Sequence, residues 1–313
     1  MNPAFSVIFL TVLIGAGQGL FLALFGVEAA AGLKILSTAD STRLFVSGSA
    51  ICLLLTGLGL VASFFHLGHP ERAWRAATMW RTSWLSREVI VLPLFMAAVF
   101  AYGLGHYAGW TVTMPLGAIG AILSIALFVC TGMIYTCIRF LQEWASPLTL
   151  VNYFLLGCAS GFTLASALVA MVEPDLVNTL CVGAICLTIA GFAMRVASLL
   201  RNRTLKPKSS LQTAIGIHHP RIVQKSQGFM GGSYNTRQFI HGRTPQLLRS
   251  IKWVFLVSAF LLPVILLVLG RQTGSATVLA LAFIIQFGGL IAERWFFFAQ
   301  ANHPQNLYYQ TIS

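Results

Sequence analysis

Charge is what this chain has least of. Only 9% of its 313 residues are Asp, Glu, Lys or Arg, against about 25% in an ordinary soluble domain. So few charges cannot cover the surface of a soluble globule. With 57% apolar residues the chain also lies far from a disordered composition. Acidic residues are scarcest: eight in all, with none from Leu176 to Ala292. Cysteines number six, yet no two form a C-x-x-C pair. That speaks against an iron–sulfur cluster, which needs clustered thiolates. Cys52, Cys130, Cys137, Cys158, Cys181 and Cys186 all fall in apolar runs, where cysteine serves as a small buried hydrophobe. Short segments alternating apolar with polar residues are also missing, which argues against a transmembrane β-barrel.

What the chain has instead is long apolar runs. A membrane-spanning helix needs about 20 mostly apolar residues. Eight runs qualify: 6–26, 44–65, 89–107, 113–138, 149–170, 177–199, 252–269 and 276–298. They predict an all-α membrane protein with eight transmembrane helices. Residues 1–199 hold six of them, with a region of special interest around 63–90. Residues 200–251 form a basic loop, and 252–313 hold the last two helices and a tail. The first run begins at Phe5 with no basic segment before it and reads as a retained helix.

An even number of spans puts both termini on one side, with loops 66–88, 139–148 and 200–251. That side takes seventeen of the twenty Lys and Arg and four of the eight acids, a net of about +13. The other side keeps Lys34, Arg43 and Arg271 against Glu28, Asp40, Glu173 and Asp175, a net of −1. Basic residues near helix ends translocate poorly, so the positive side is expected to be cytoplasmic, with both termini inside.

Ten Lys and Arg lie between Arg201 and Lys252. Among them, Arg221, Lys225, Arg237 and Arg243 are candidates for docking an acidic partner. Plain positive-inside charge and contact with anionic membrane lipids are the other readings. The apolar Ile215, Ile217, Ile222, Val223, Phe229, Phe239 and Ile240 suggest that the loop is ordered against something. Its aromatic content is too thin, and its pattern too unlike known modules, for a nucleic-acid site.

Seven histidines raise the question of haem. His66 and His106 end the second and third runs at opposite faces, and the other five lie in loops or the tail. No two share a depth, so a haem held between two helix histidines is not expected. Polar groups at span ends are costly and often functional. His66 and Glu88 flank one loop, which also carries Arg72, Trp74, Arg75, Arg81, Trp84 and Arg87. An imidazole that titrates near neutral pH and a carboxylate able to relay protons suit a quinone head group. The plainer reading is an interfacial ion pair of Glu88 with Arg87 or Arg72. Gln18, inside Gly15-Ala16-Gly17-Gln18-Gly19, is expected to bond a neighbouring backbone where small residues let helices approach. Glu293 and Arg294 read as an ion pair near the interface, and Trp74, Trp80, Trp84, Trp144 and Trp295 as an aromatic belt.

Several segments together carry a family resemblance. These are the opening Met1-Asn2-Pro3-Ala4-Phe5-Ser6-Val7-Ile8-Phe9-Leu10; the stretch Ser63-Phe64-Phe65-His66-Leu67-Gly68-His69-Pro70-Glu71-Arg72-Ala73-Trp74-Arg75-Ala76; Trp84-Leu85-Ser86-Arg87-Glu88; and Glu293-Arg294-Trp295-Phe296-Phe297-Phe298-Ala299. The chain resembles the membrane anchor subunits of dimethyl sulfoxide reductase-type complexes. This anchor type is shared with quinone-dependent sulfite dehydrogenases and polysulfide-reductase-like membrane subunits. The resemblance implies a bacterial inner-membrane protein without haem or iron–sulfur cluster of its own. It implies two partners, a four-cluster ferredoxin-like iron–sulfur subunit and a molybdopterin catalytic subunit. It also implies electron exchange with ubiquinone or menaquinone, at a site that includes His66 and Glu88. A cytoplasmic positive face suits the sulfite-oxidising, quinone-reducing arrangement. A quinol-oxidising anchor, a transporter and a purely structural tether remain as alternatives. A transporter would call for inverted repeats and midplane charges, and neither is evident.

Overall fold

The computed structural model describes residues 1–36, 41–225 and 237–309. Within them eight helices are long and apolar enough to cross a membrane. They are α1 (Phe5–Gly32), α2 (Thr42–Phe64), α3 (Trp84–Ala108), α4 (Thr113–Thr136), α5 (Pro147–Val172), α6 (Val177–Arg203), α7 (Pro245–Thr273) and α8 (Ala276–Ala299). No strand occurs among the described residues.

Helix ends follow local chemistry. The side chains of Ser83, Ser146 and Thr244 each accept a backbone N–H at the start of α3, α5 and α7, replacing hydrogen bonds that the first turn lacks. Gly109 and Gly274 close α3 and α7 with φ of 68° and 63°, a conformation natural to glycine.

Helices α1 and α5 form the centre. Their apolar windows are 72% and 67% buried, against 33–50% for the other six. Small residues make this crossing possible: Gly15 and Gly19 of α1 meet Gly157 and Gly161 of α5 so closely that a Cβ on Gly19 or Gly161 would strike the opposing backbone. Gln18, on the same stripe, donates to the Ser124 carbonyl of α4 at 2.8 Å, as its position suggested. Helix α2 packs on α1, α6 and α8 pack on α5, and α4 packs on both, while α3 lies against α2 and α4, and α7 against α6 and α8.

Helix α7 carries a π-helical turn at Val257–Leu261. Pro263 has no N–H for the Ala259 carbonyl four residues back. Gln286 of α8 donates to that carbonyl at 3.3 Å and to Thr188 Oγ1 at 3.1 Å. A glycine, Gly289, lets the two helices come together there.

Among the described residues, the two ends of the chain and the links α2–α3, α4–α5 and α6–α7 lie at one end of the bundle, called the loop face below. At this end Tyr135, Trp144, Tyr153, Phe297 and Phe298 form a cluster of mutually packed rings. Trp144 is therefore not part of an interfacial belt. It is buried and donates from Nε1 to the Phe297 carbonyl at 3.0 Å. The described part of the 200–251 loop packs on the chain's own tail. Phe239 stacks on His303 at 3.8 Å, Asn306 donates to the Phe239 carbonyl, and Tyr308 to the Ala214 carbonyl. The Gly-rich stretch 228–232, Phe229, Tyr234 and Asp40 lie outside the described residues.

Candidate functional site

The α2–α3 link begins as α2 ends at Phe64 and returns through a 3-10 helix, Pro70–Ala77. Arg87 fastens its far end. Its guanidinium donates to the carbonyls of Trp80 at 3.0 Å and Arg81 at 2.9 Å and lies over the Trp84 ring at 4.2 Å. Arg87 is therefore not the partner of Glu88, and neither is Arg72, which lies 3.7 Å from Glu71. Instead the buried Glu88 accepts a 2.6 Å hydrogen bond from Thr131 of α4 at Oε1. One carboxylate oxygen is fixed, and Oε2 is left to another partner.

Beneath the link is a cavity of about 280 Å³, close to the lower end, about 300 Å³, of small-molecule sites. His66, Trp74 and Glu88 line it, in walls otherwise built of Leu10, Leu60, Phe64, Leu67, Leu85 and Leu92. Val89 and Pro93 complete one side. Pro93 lacks the N–H that the Val89 carbonyl accepts in an unbroken helix. His66 stands exposed at the rim, and partial burial of its ring holds its pKa below the ordinary 6.5. At neutral pH the imidazole is therefore uncharged, with one nitrogen to donate and one to accept.

Of His66, Arg72, Trp74, Arg75, Trp84 and Glu88, the residues expected at a quinone site, the fold brings His66, Trp74 and Glu88 to one cavity. Arg72 and Arg75 are exposed on the link, Arg75 over the Trp74 ring, and Trp84 lies under Arg87. The candidate docking residues Arg221, Lys225, Arg237 and Arg243 are all exposed. Among the described residues no group of three or more His, Cys, Asp or Glu could hold a metal ion.

Sequence reasoning missed the polar centre behind the cavity. Arg195, in the middle of an apolar run, is 2% exposed, and its Nε lies 2.7 Å from Glu293 Oε1. Arg294 approaches Glu293 Oε2 at 3.4 Å and stacks over the Tyr153 ring at 3.6 Å. Glu293 and Arg294 are thus two members of a buried triad. An arginine within an apolar run was the available signal, since such a charge needs a partner. At the opposite end of the bundle Glu28, which belongs to α1 and not to a loop, lies 3.4 Å from His106 Nε2 and accepts from Thr113.

Comparison with known proteins agrees with this architecture. The chain is 53% identical, over the full length of both, to a sulfite dehydrogenase subunit of Allochromatium vinosum. It is 32% identical to the anaerobic dimethyl sulfoxide reductase chain YnfH of Escherichia coli, over 42% of this chain and 46% of that one. Residues 1–309 match the family described as DMSO reductase anchor subunit (DmsC). On that full-length match, the chain belongs to the DMSO reductase anchor subunit family.

Proposed function

We propose that this anchor is the quinone-reactive subunit of a molybdenum oxidoreductase, passing electrons from partner iron–sulfur clusters to quinone. The observation that carries this reading is the joint presence of His66 and Glu88 in one apolar cavity of about 280 Å³. A quinone offers an apolar ring with two carbonyl oxygens, and its reduction consumes two electrons and two protons. The cavity walls take the ring. Neutral His66 donates a hydrogen bond to one oxygen and orients the head group. Glu88, held by Thr131, hands a proton to the ring.

The full-length similarity to a sulfite dehydrogenase subunit supports this direction of flow. The molybdopterin partner oxidises sulfite, the iron–sulfur subunit carries the electrons, and this chain delivers them. The shorter similarity to YnfH supports the reverse, quinol-oxidising direction over less than half the chain. The positive loop face is cytoplasmic in a bacterial inner membrane, and Arg221, Lys225, Arg237 and Arg243 dock the iron–sulfur subunit there.

Quinone-coupled turnover of the assembled complex tests the site. Glu88→Gln is expected to lower it about 100-fold, and His66→Ala to weaken it through KM as well. Both should leave reduction of the partner clusters by substrate intact. Wild-type turnover in both variants overturns the site. A reporter fused to the C terminus that reads out on the outer side overturns the orientation.

A further inference from the structure

Glu88 belongs to two cavities. Besides the His66 cavity it lines a second, of about 20 Å³, with Gln18, Thr131, Tyr153, Ser160 and Arg294. Arg294 in turn lines a third, of about 10 Å³, with Asn152, Arg195, Ser198, Glu293 and Glu143. Glu143 then lines a fourth, an open basin of about 440 Å³ on the loop face, walled by Gln142, Asn202, Lys208 and His303 among others. Four cavities therefore follow one another, each sharing one ionisable lining residue with the next: Glu88, Arg294 and Glu143.

The two inner cavities are each about the size of one water, and a buried water needs two to four polar partners. Those partners are present. Arg195 Nη2 and Asn152 Oδ1 on the third are buried and have no hydrogen-bond partner among the described residues, and the hydroxyl-bearing Thr131, Tyr153 and Ser160 line the second. Two carboxylates, Glu293 and Glu143, share the third cavity with the two guanidinium groups of Arg195 and Arg294.

We propose that the buried row Glu88–Tyr153–Arg294/Glu293–Asn152–Glu143 is a water-assisted proton conduit between the quinone cavity and the basin on the loop face. This deepens, and rests on, the quinone-site reading. Each quinone reduced takes its two electrons from the cluster-bearing partner and its two protons from the basin. Glu143 collects each proton, the cavity waters pass it inward beside the fixed Glu293 anion, and Glu88 delivers it. Glu143 acts as a relay and never touches the quinone.

The test uses the complete complex, with decylubiquinone as acceptor. Binding is followed through quenching of tryptophan fluorescence, since Trp74 lines the cavity. Glu143→Gln and Tyr153→Phe are expected to slow turnover about tenfold or more and to raise the solvent isotope effect. The quenching affinity should stay unchanged. Formate, a small weak acid able to enter the basin, should restore turnover to Glu143→Gln. Turnover within twofold of wild type in both variants, with quenching intact, overturns the conduit and leaves the quinone site standing. Loss of turnover together with loss of quenching assigns these residues to structure and also overturns it. If decylubiquinone fails to quench the wild-type complex and Glu88→Gln turns over normally, the quinone site itself falls.

Discussion

At the residue scale the proposed chemistry rests on a few polar groups set among apolar neighbours. His66 is the one whose titration is accessible. Its pKa lies below 6.5 because protonation would leave a charge on a partly desolvated ring. Activity that needs the neutral imidazole is therefore full above 6.5 and lost as pH falls through the depressed value. A pH–rate profile is expected to show an acid limb centred below 6.5, and His66→Gln should abolish that limb. Glu293 has a different role, as the anion set between two buried guanidinium groups. Glu293→Leu leaves both unneutralised, which costs about 3–5 kcal/mol for a broken buried pair. The thermal midpoint of the detergent-solubilised complex should fall accordingly. His66 and Glu88 could be found from sequence because they flank one loop. Thr131 and Tyr153 could not, because each comes from a different helix and acquires its meaning only when the bundle is packed, whereas Arg195 announced itself as a charge in an apolar run but did not announce its partners.

At the scale of elements, the eight spans were legible because apolar length is a coarse property that packing does not rearrange. Their ends were not. Helix α1 runs on to Gly32 past an acidic residue, since Glu28 finds His106 and Thr113. Helix α7 begins at Pro245, seven residues before the apolar run, since Thr244 caps it and Pro245 suits a first turn. The polar Gln246, Arg249 and Ser250 of that first stretch hide it from a hydropathy reading. The small-residue run in α1 was readable as a contact stripe, but its mate in α5 emerged only from the fold. Gly161→Ala puts a methyl group against the α1 backbone at Gly19 and Leu20. Overpacking of this kind costs about 1–3 kcal/mol. Thermal unfolding in detergent should show the loss, with a larger one for Gly161→Leu. Gly26 and Gly57, whose added Cβ would meet nothing within 4 Å, should tolerate alanine in the same assay.

At the scale of the whole molecule, the basin that Glu143 opens into lies on the same face as the loop carrying His66. That placement has an energetic consequence for the cell. Moving one charge through a membrane potential is worth about 2.3 kcal/mol per 100 mV. A reaction that draws electrons and protons from the same aqueous phase moves no net charge through that potential. On the proposed route quinone reduction is electroneutral, neither charging the membrane nor slowed by a charged one. In sealed vesicles, collapsing the voltage with a potassium ionophore is expected to leave the turnover rate unchanged, while a voltage-sensitive dye records no signal at the onset of turnover. The anchor would serve as a one-sided outlet for reducing equivalents, with energy conserved only later, by whatever reoxidises the quinol.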